Sequence, residues 1–188
     1  EKELDGKGVV YCTICDAPIF KNKVVAVVGG GNSALEGVVD LIPYATDIYL
    51  MTRSELRGDP ITQEKVKASP KVKILTMNKV KEILGAQTGK VTGIKYEDKE
   101  GNEQELKLDG VFVEIGSVPN SEIVRGLVEI NPQGEVVVDH KTQRSSLLGI
   151  WAAGDVSDVL YKQNNISAGD AVKAVLNIYD YLHKSNQM

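Results

Sequence analysis

Two cysteines separated by two residues, in Cys12-Thr13-Ile14-Cys15, are the only thiols of this 188-residue chain, and Asp16 follows them directly. Sulfurs at that spacing can interconvert between dithiol and disulfide, and a neighbouring carboxyl can move a proton to or from a thiolate. A staple closing so small a loop would restrain the unfolded chain very little. A tetrahedral zinc site needs about four protein ligands, whereas His140 and His183 stand isolated without ligand spacing. Redox exchange at Cys12 and Cys15 is therefore favoured over ordinary buried thiols or a metal site. Such a pair, reduced in its resting state, suits a cytoplasmic protein.

A second chemical signal follows at once. The β-branched run Lys23–Val28 reads as a buried strand, and it leads into Gly29-Gly30-Gly31-Asn32-Ser33-Ala34, which opens a helix. The pattern Gly29-x-Gly31-x-x-Ala34 in that context fits a dinucleotide loop, with Asn32 and Ser33 inside it. Gly29 allows the tight turn, Gly31 lets the backbone approach a pyrophosphate, and Ala34 permits close helix–strand packing. Helix N-terminal N–H groups then favour the diphosphate. The plainer alternative is a tight turn with no ligand. The next strand ends at Met51 and Thr52 without the acid that binds a ribose 2′-hydroxyl, and Arg53 and Arg57 follow. Two guanidiniums there favour a 2′-phosphate and hence NADPH. Glu55 between them leaves open a solvated surface pair.

The elements that must position these groups form an α/β pattern. A helix is expected over Asn32–Ile42, ended by Pro43, then a strand over Thr46–Met51, a polar loop, a helix over Thr62–Ala68 and a strand over Val72–Leu75. Val80–Leu84, Val91–Tyr96 and Gln104–Leu108 alternate as half-buried strands and predict an antiparallel β-meander. Gly110–Ile115 returns to a parallel core strand. Its end, Ile115 and Gly116, joins the cofactor-binding set, and Gly116–Asn120 marks a boundary. Beyond it, strands are expected at Glu135–Val138 and up to Asp155. A terminal helix follows, with Ala168, Ala171, Val172, Val175, Leu176, Tyr179 and Leu182 as its core face.

Composition narrows the class. With 42% hydrophobic and 26% charged residues and a net charge of −4, the chain has no basic stripe for nucleic acid. No apolar run is long enough to cross a bilayer, and the charged start Glu1-Lys2-Glu3-Leu4-Asp5 is not a signal peptide. The chain begins without methionine, in what reads as a linker, so an engineered piece, a proteolytic product or a partial sequence is expected.

Four segments together carry a family resemblance: Gly6–Pro18 with its two cysteines, Gly29–Ala34, Ile150-Trp151-Ala152-Ala153-Gly154-Asp155, and Tyr161-Lys162-Gln163 through Ser167-Ala168-Gly169. In this order they resemble a bacterial-type, low-molecular-weight thioredoxin reductase, and are similar to the flavoprotein subunit of alkyl hydroperoxide reductase. The resemblance implies FAD and NADPH as cofactors and electron flow from NADPH through FAD to the cysteines and on to thioredoxin or a related small redox protein. It implies Cys15 as the thiol nearer the flavin, Cys12 as the one attacking the partner, and Asp16 as the general acid, the alternative for Asp16 being a capping carboxylate. Gly154 and Asp155 correspond to a flavin-binding motif, with Gln163, Asn164 and the following helix start facing the flavin ring.

The first FAD-binding glycine loop of that family is absent. Residues 1–115 are thus expected to be a Rossmann-like NADPH-binding domain carrying the dithiol, and 116–188 the C-terminal portion of an FAD-binding domain. Relatives are commonly homodimers. A hydride donor and a dithiol on one domain imply rotation about Gly6–Val9 and Gly116–Asn120. The rivals are a peroxiredoxin-reducing or ferredoxin-linked relative, and a flavin-free nucleotide-binding fragment without turnover.

Overall fold

Continuous β-branched runs have no polar face to offer water, and such runs pair side by side in the first half of the chain. The computed structural model describes residues 1–185; residues 186–188, the end of the region assigned to the second domain, lie outside it. The chain divides into two compact units, Glu1–Gly116 and Ser117–Met188.

In chain order the first unit contains β1 (Val9–Val10), α1 (Thr13–Asp16), β2 (Val24–Val28), α2 (Asn32–Leu41), β3 (Asp47–Met51), α3 (Pro60–Ala68) and β4 (Val72–Leu75). The hairpin strands β5 (Lys79–Leu84), β6 (Gly93–Glu97) and β7 (Glu103–Lys107) follow, and β8 (Gly110–Val113) closes the series. The parallel sheet has the order β1-β8-β2-β3-β4, and β5-β6-β7 form a separate antiparallel meander. β8 enters between the first two strands, with Val25 to Val28 of β2 opposite Gly110 to Val113.

Each sheet face buries its own core. One holds Val25, Val27, Ile48, Leu50 and Phe112 against Leu35, Val38 and Leu41 of α2. The other holds Ala26, Met51 and Val111 against Ile94 of the meander and Leu4. Phe20 and Phe112 meet edge to face with centroids 4.9 Å apart, and a side chain at Gly110 would run into the Phe20 ring.

The helix after the glycine turn, the second and third core strands and the meander lie where their periodicity placed them, to within two residues. α3 starts two residues before Thr62, because Asp59 caps it by accepting from Ile61 N and Thr62 N at 2.8 and 3.2 Å, with Pro60 at its first position.

Val9, at the end of the Gly6–Val9 segment about which rotation is expected, belongs to the sheet of the first unit. Val9 is fully buried, β1 pairs with β8, and Val111 N donates to Gly8 O at 2.7 Å. The signal was the apolar pair Val9-Val10, too short to register as a strand by periodicity.

The second unit departs further from expectation. Its regular strands are the short β9 (Val138–Asp139) and β10 (Arg144–Ser145), followed by α4 (Asn164–Ser185). Most of Glu135–Val138 and the run up to Asp155 form no ladder. Val136 makes single bridges to Ile130 and Ser157, and Trp151 one to Arg144, so consecutive pairing never builds up.

The face of α4 expected in the core is exposed instead: Val172, Val175, Leu176, Tyr179 and Leu182 are each more than half accessible. α4 turns a different stripe inward, Asp170 and Ala174, with Asn177 half-buried one turn on. Asn177 Oδ1 accepts from Arg144 Nε at 2.7 Å and from Trp151 Nε1 at 3.1 Å. Polar anchors, invisible to an apolar periodicity count, decide which side faces in.

Phe112→Ala removes a fully buried ring from the first unit. It is expected to lower that unit's unfolding free energy by about 3–5 kcal/mol in urea titration followed by circular dichroism. A loss below about 1 kcal/mol would contradict its place in the core.

Candidate functional site

From β2 the chain proceeds through α2 to β3 on one side, while β8 and β1 lie on the other, so the strand order reverses between β2 and β8. Ligands of open parallel sheets bind outside the carboxyl ends of strands at such a reversal. A cavity of about 430 Å³ lies there. One wall is Gly29, Gly30, Gly31 and Ser33; another is Thr52, Arg53, Ser54 and Arg57; a third is Glu114, Ile115 and Gly116.

The glycines are there because backbone must pass where a side chain cannot. Gly29 has φ +153°, and a Cβ on it would collide with the carbonyl of Glu114 and lie 2.9 Å from the Ala34 methyl. Gly31 is the N-cap of α2 and faces open space, with nothing within 4 Å of a Cβ built on it. No side chain caps the first turn of α2, so its N–H groups are available to an anion in the cavity. The cradle fits a diphosphate.

Asn32 and Ala34 are not on the cavity wall. Ala34 is fully buried, where its small size permits the approach to Gly29. Asn32 Oδ1 accepts from Asp59 N at 2.7 Å, and Arg57 N donates to Gly30 O at 2.8 Å, so both contacts hold the loop after β3 over the glycine turn. Arg53 and Arg57 are exposed along the cavity. Among the described residues the arginine found in an ion pair is Arg125, with Glu122; Glu55 pairs with neither Arg53 nor Arg57. The guanidiniums are thus free of a protein counter-charge.

Cys12 and Cys15 form a disulfide with Cα atoms 5.3 Å apart. Cys12 is the N-cap of α1, and its Sγ accepts from Cys15 N at 3.2 Å. A donor aimed at that sulfur favours thiolate character there once the disulfide is reduced. Cys12 is half-buried and Cys15 exposed, beside the exposed side chains of Ile14 and Ile19. The Asp16 side chain makes no capping hydrogen bond to the 3₁₀ turn it precedes, so the capping alternative is not what the structure shows.

Thr13, buried between the two cysteines in sequence, seats α1. Its Cγ2 lies 2.7 Å from where a Cβ on Gly37 of α2 would be, so only glycine admits it so closely. Glu114 is half-buried, and burial, opposed by the Thr13 backbone and aided by the like charge of Asp40, pushes its carboxyl up to about 7.

Glu114, Asn78 and Lys79 on the cavity wall were missed by sequence reasoning. A signal for Glu114 existed, a lone acid directly after the apolar run Gly110–Val113 and so at the carboxyl end of a parallel strand. Asn78 and Lys79 carried none, because the turn after β4 returns them to the cavity only in three dimensions.

In the second unit, Gly154 has φ +77° and packs against Ser167, whose Oγ would lie 3.0 Å from an added Cβ. Ser167 Oγ also donates to Asp155 Oδ1 at 3.3 Å, and Lys162 Nζ donates to Ser157 O at 2.6 Å while pairing with Glu135 at 2.8 Å. Asp155 is thereby brought to the start of α4, where Gln163 and Asn164 are also exposed. An accessible carboxylate beside a helix N-terminus suits the hydroxyls and the electron-rich ring edge of a flavin, so these residues fit one end of an FAD site.

The profile of the pyridine nucleotide-disulphide oxidoreductases matches residues 1–174. The F subunit of alkyl hydroperoxide reductase from Pseudomonas putida is 44% identical over 99% of this chain, which spans 36% of that protein. The chain thus covers about a third of the length of the curated relatives it matches. Among solved structures, thioredoxin reductase from Streptococcus pyogenes superposes with a TM-score of 0.85 at 32% identity, over 95% of this chain and 58% of that one. Thioredoxin reductase from Giardia duodenalis does so with a TM-score of 0.82 at 33% identity, over 97% and 60%. The family uses FAD and NAD(P)H. With a dinucleotide cradle and a Cys-x-x-Cys disulfide in one unit and a match over most of its length, the chain belongs to the pyridine nucleotide-disulphide oxidoreductase family.

Proposed function

We propose that the first unit is an NADPH-binding, dithiol-bearing domain. In the full-length protein it serves a reductase that passes electrons to the disulfide of thioredoxin or a similar small redox protein. The observation that carries this reading is the crevice at the strand reversal, walled by Gly29, Gly31, Arg53 and Arg57, in the same unit as the Cys12–Cys15 disulfide.

Each side chain has a task in this reading. Gly29, Gly31 and the first turn of α2 hold the diphosphate, with Ser33 beside it, and Arg53 and Arg57 meet a 2′-phosphate. Ile115 and Gly116 close the cavity where the first unit ends. Cys12 attacks the partner disulfide, Cys15 resolves the mixed disulfide, and Asp16 moves the thiol proton. The exposed apolar side chains of Ile14 and Ile19 give a partner something to seat on. In the second unit, the portion of an FAD-binding domain, Gly154 and Asp155 would hold FAD, with Gln163 and Asn164 at the ring. FAD supplies the conversion of a hydride pair into electrons for a disulfide.

A second reading, a flavoprotein that reduces a peroxidase partner, has its own support. The curated relatives at 42–44% identity are named as the F subunit of alkyl hydroperoxide reductase, against 32–33% for the two thioredoxin reductases.

Arg53→Ala with Arg57→Ala is expected to raise the Kd of this chain for NADPH by about 100-fold, as for the loss of charge-assisted phosphate contacts, and that for NADH by less than about 3-fold. Calorimetric titration reads both, and equal losses would remove the 2′-phosphate assignment. For the partner, the full-length protein with NADPH is offered oxidised thioredoxin or an oxidised peroxiredoxin with its dithiol module. Thioredoxin reduction at the higher kcat/KM supports the first reading; preference for the peroxidase system selects the second.

A further inference from the structure

The turn after β4 is bent against the preference of its own residues. Met77 has φ +59°, a left-handed conformation that a long side chain adopts only at a cost. More than half of that side chain is exposed, so its own packing does not explain the bend. Contacts at the next residue hold it. Asn78 N donates to Thr52 O at 2.9 Å, and Asn78 Nδ2 donates to Thr76 O at 2.6 Å. The bend carries Asn78 from the end of β4 to the start of the meander and onto the wall of the cavity.

Asn78 and Thr52 are the buried polar side chains of that wall. The Thr52 hydroxyl accepts from Ser54 N at 3.4 Å. Asn78 is only 7% exposed, and one contact orients its amide. A carbonyl oxygen cannot donate, so the nitrogen must be the end that meets Thr76 O. Oδ1 is then an acceptor without a protein donor among the described residues. The unpartnered side-chain atoms enclosed within the described protein are Gln143 Oε1 and Asp170 Oδ2, so Asn78 Oδ1 is not sealed in and opens to the cavity that its residue lines. A largely buried acceptor of this kind favours a ligand that brings a donor.

The surroundings say what sort of ligand. Met51, Val80 and Ile83 share the cavity wall and offer apolar surface to a flat ring, with Asn78 as a polar group among them. The run β2-α2-β3-α3-β4 is one mononucleotide-binding half, in which the diphosphate lies at the glycine turn and the sugar at the end of the second strand, here β3. Continuing outward in sheet order, the base comes to the end of β4, where Asn78 stands. We propose that Asn78 is a specificity-determining residue for that base: its Oδ1 accepts the exocyclic amino group of adenine. A hypoxanthine or guanine base carries a carbonyl oxygen at that position and would face Oδ1 acceptor to acceptor. The proposal rests on the reading of the crevice as a dinucleotide site.

Calorimetric titration of this chain with NADP and with its hypoxanthine analogue, in which oxygen replaces the adenine amino group, tests the proposal without flavin or turnover. The wild type is expected to bind the analogue about 10-fold or more weakly than NADP. Asn78→Ala should weaken NADP about 10-fold while changing the analogue by less than about 3-fold, so that the preference collapses. A third nucleotide, with an acetyl group in place of the nicotinamide carboxamide, keeps the adenine and is expected to follow NADP in both proteins.

Asn78 also holds Thr76 O, so circular dichroism first establishes that Asn78→Ala folds. If it does not, the wild type carries the test. Its Asn78 side-chain amide resonances are expected to move on saturation with NADP and to stay near their free positions on saturation with the hypoxanthine analogue. Equal wild-type affinity for NADP and that analogue overturns the proposal and leaves the dinucleotide site standing. So does a preference that Asn78→Ala leaves unchanged, or an Asn78-dependent loss seen with the acetyl analogue instead, which places the residue at the nicotinamide. Absence of binding by all three nucleotides removes the dinucleotide reading and the proposal together.

Discussion

The contact on which the first unit depends is the passage of Gly29 between the carboxyl ends of β2 and β8. Any Cβ there would strike the Glu114 carbonyl, so the two strands close together only because that position has no side chain. Once they do, three consequences follow from one geometry. The chain turns at once into α2, leaving its first N–H groups uncapped at the mouth of the cavity. Ala34 fits beneath the turn. The residue after β8, Glu114, is pinned by its N–H donating to Val28 O and so stands on the cavity wall.

Charge around the junction is arranged unequally. The cavity offers Arg53 and Arg57 without a carboxylate partner on one wall and the uncapped turn of α2 on another, which together suit a polyanion. The third wall differs: there the Glu114 carboxyl feels the like charge of Asp40.

Much of this was legible in the sequence because it rests on local rules. The β-branched run into Gly29-x-Gly31-x-x-Ala34 specified a strand, a turn and a helix at once, and the spacing of Cys12 and Cys15 is the one at which the structure joins them in a disulfide. What escaped reading was non-local. Val9-Val10 is a strand only because β8 inserts beside it, and Asn32, counted as a ligand residue, is occupied by a loop contact 27 residues away. The stripe from Val172 to Leu182 on α4 has a faultless apolar period, yet hydrogen bonds at Asn177 and the buried Asp170 decide which face turns inward. Periodicity tells that a helix has a face. It does not tell what lies against it.

Everything in this reading turns on a dinucleotide occupying the crevice at the strand reversal. Amide chemical shifts of the chain, followed during titration with oxidised NADP, report that occupancy residue by residue. Saturable shifts are expected at Gly29–Ser33, Thr52–Arg57 and Glu114–Gly116. Saturable shifts confined to the second unit, or none at millimolar nucleotide, would contradict it.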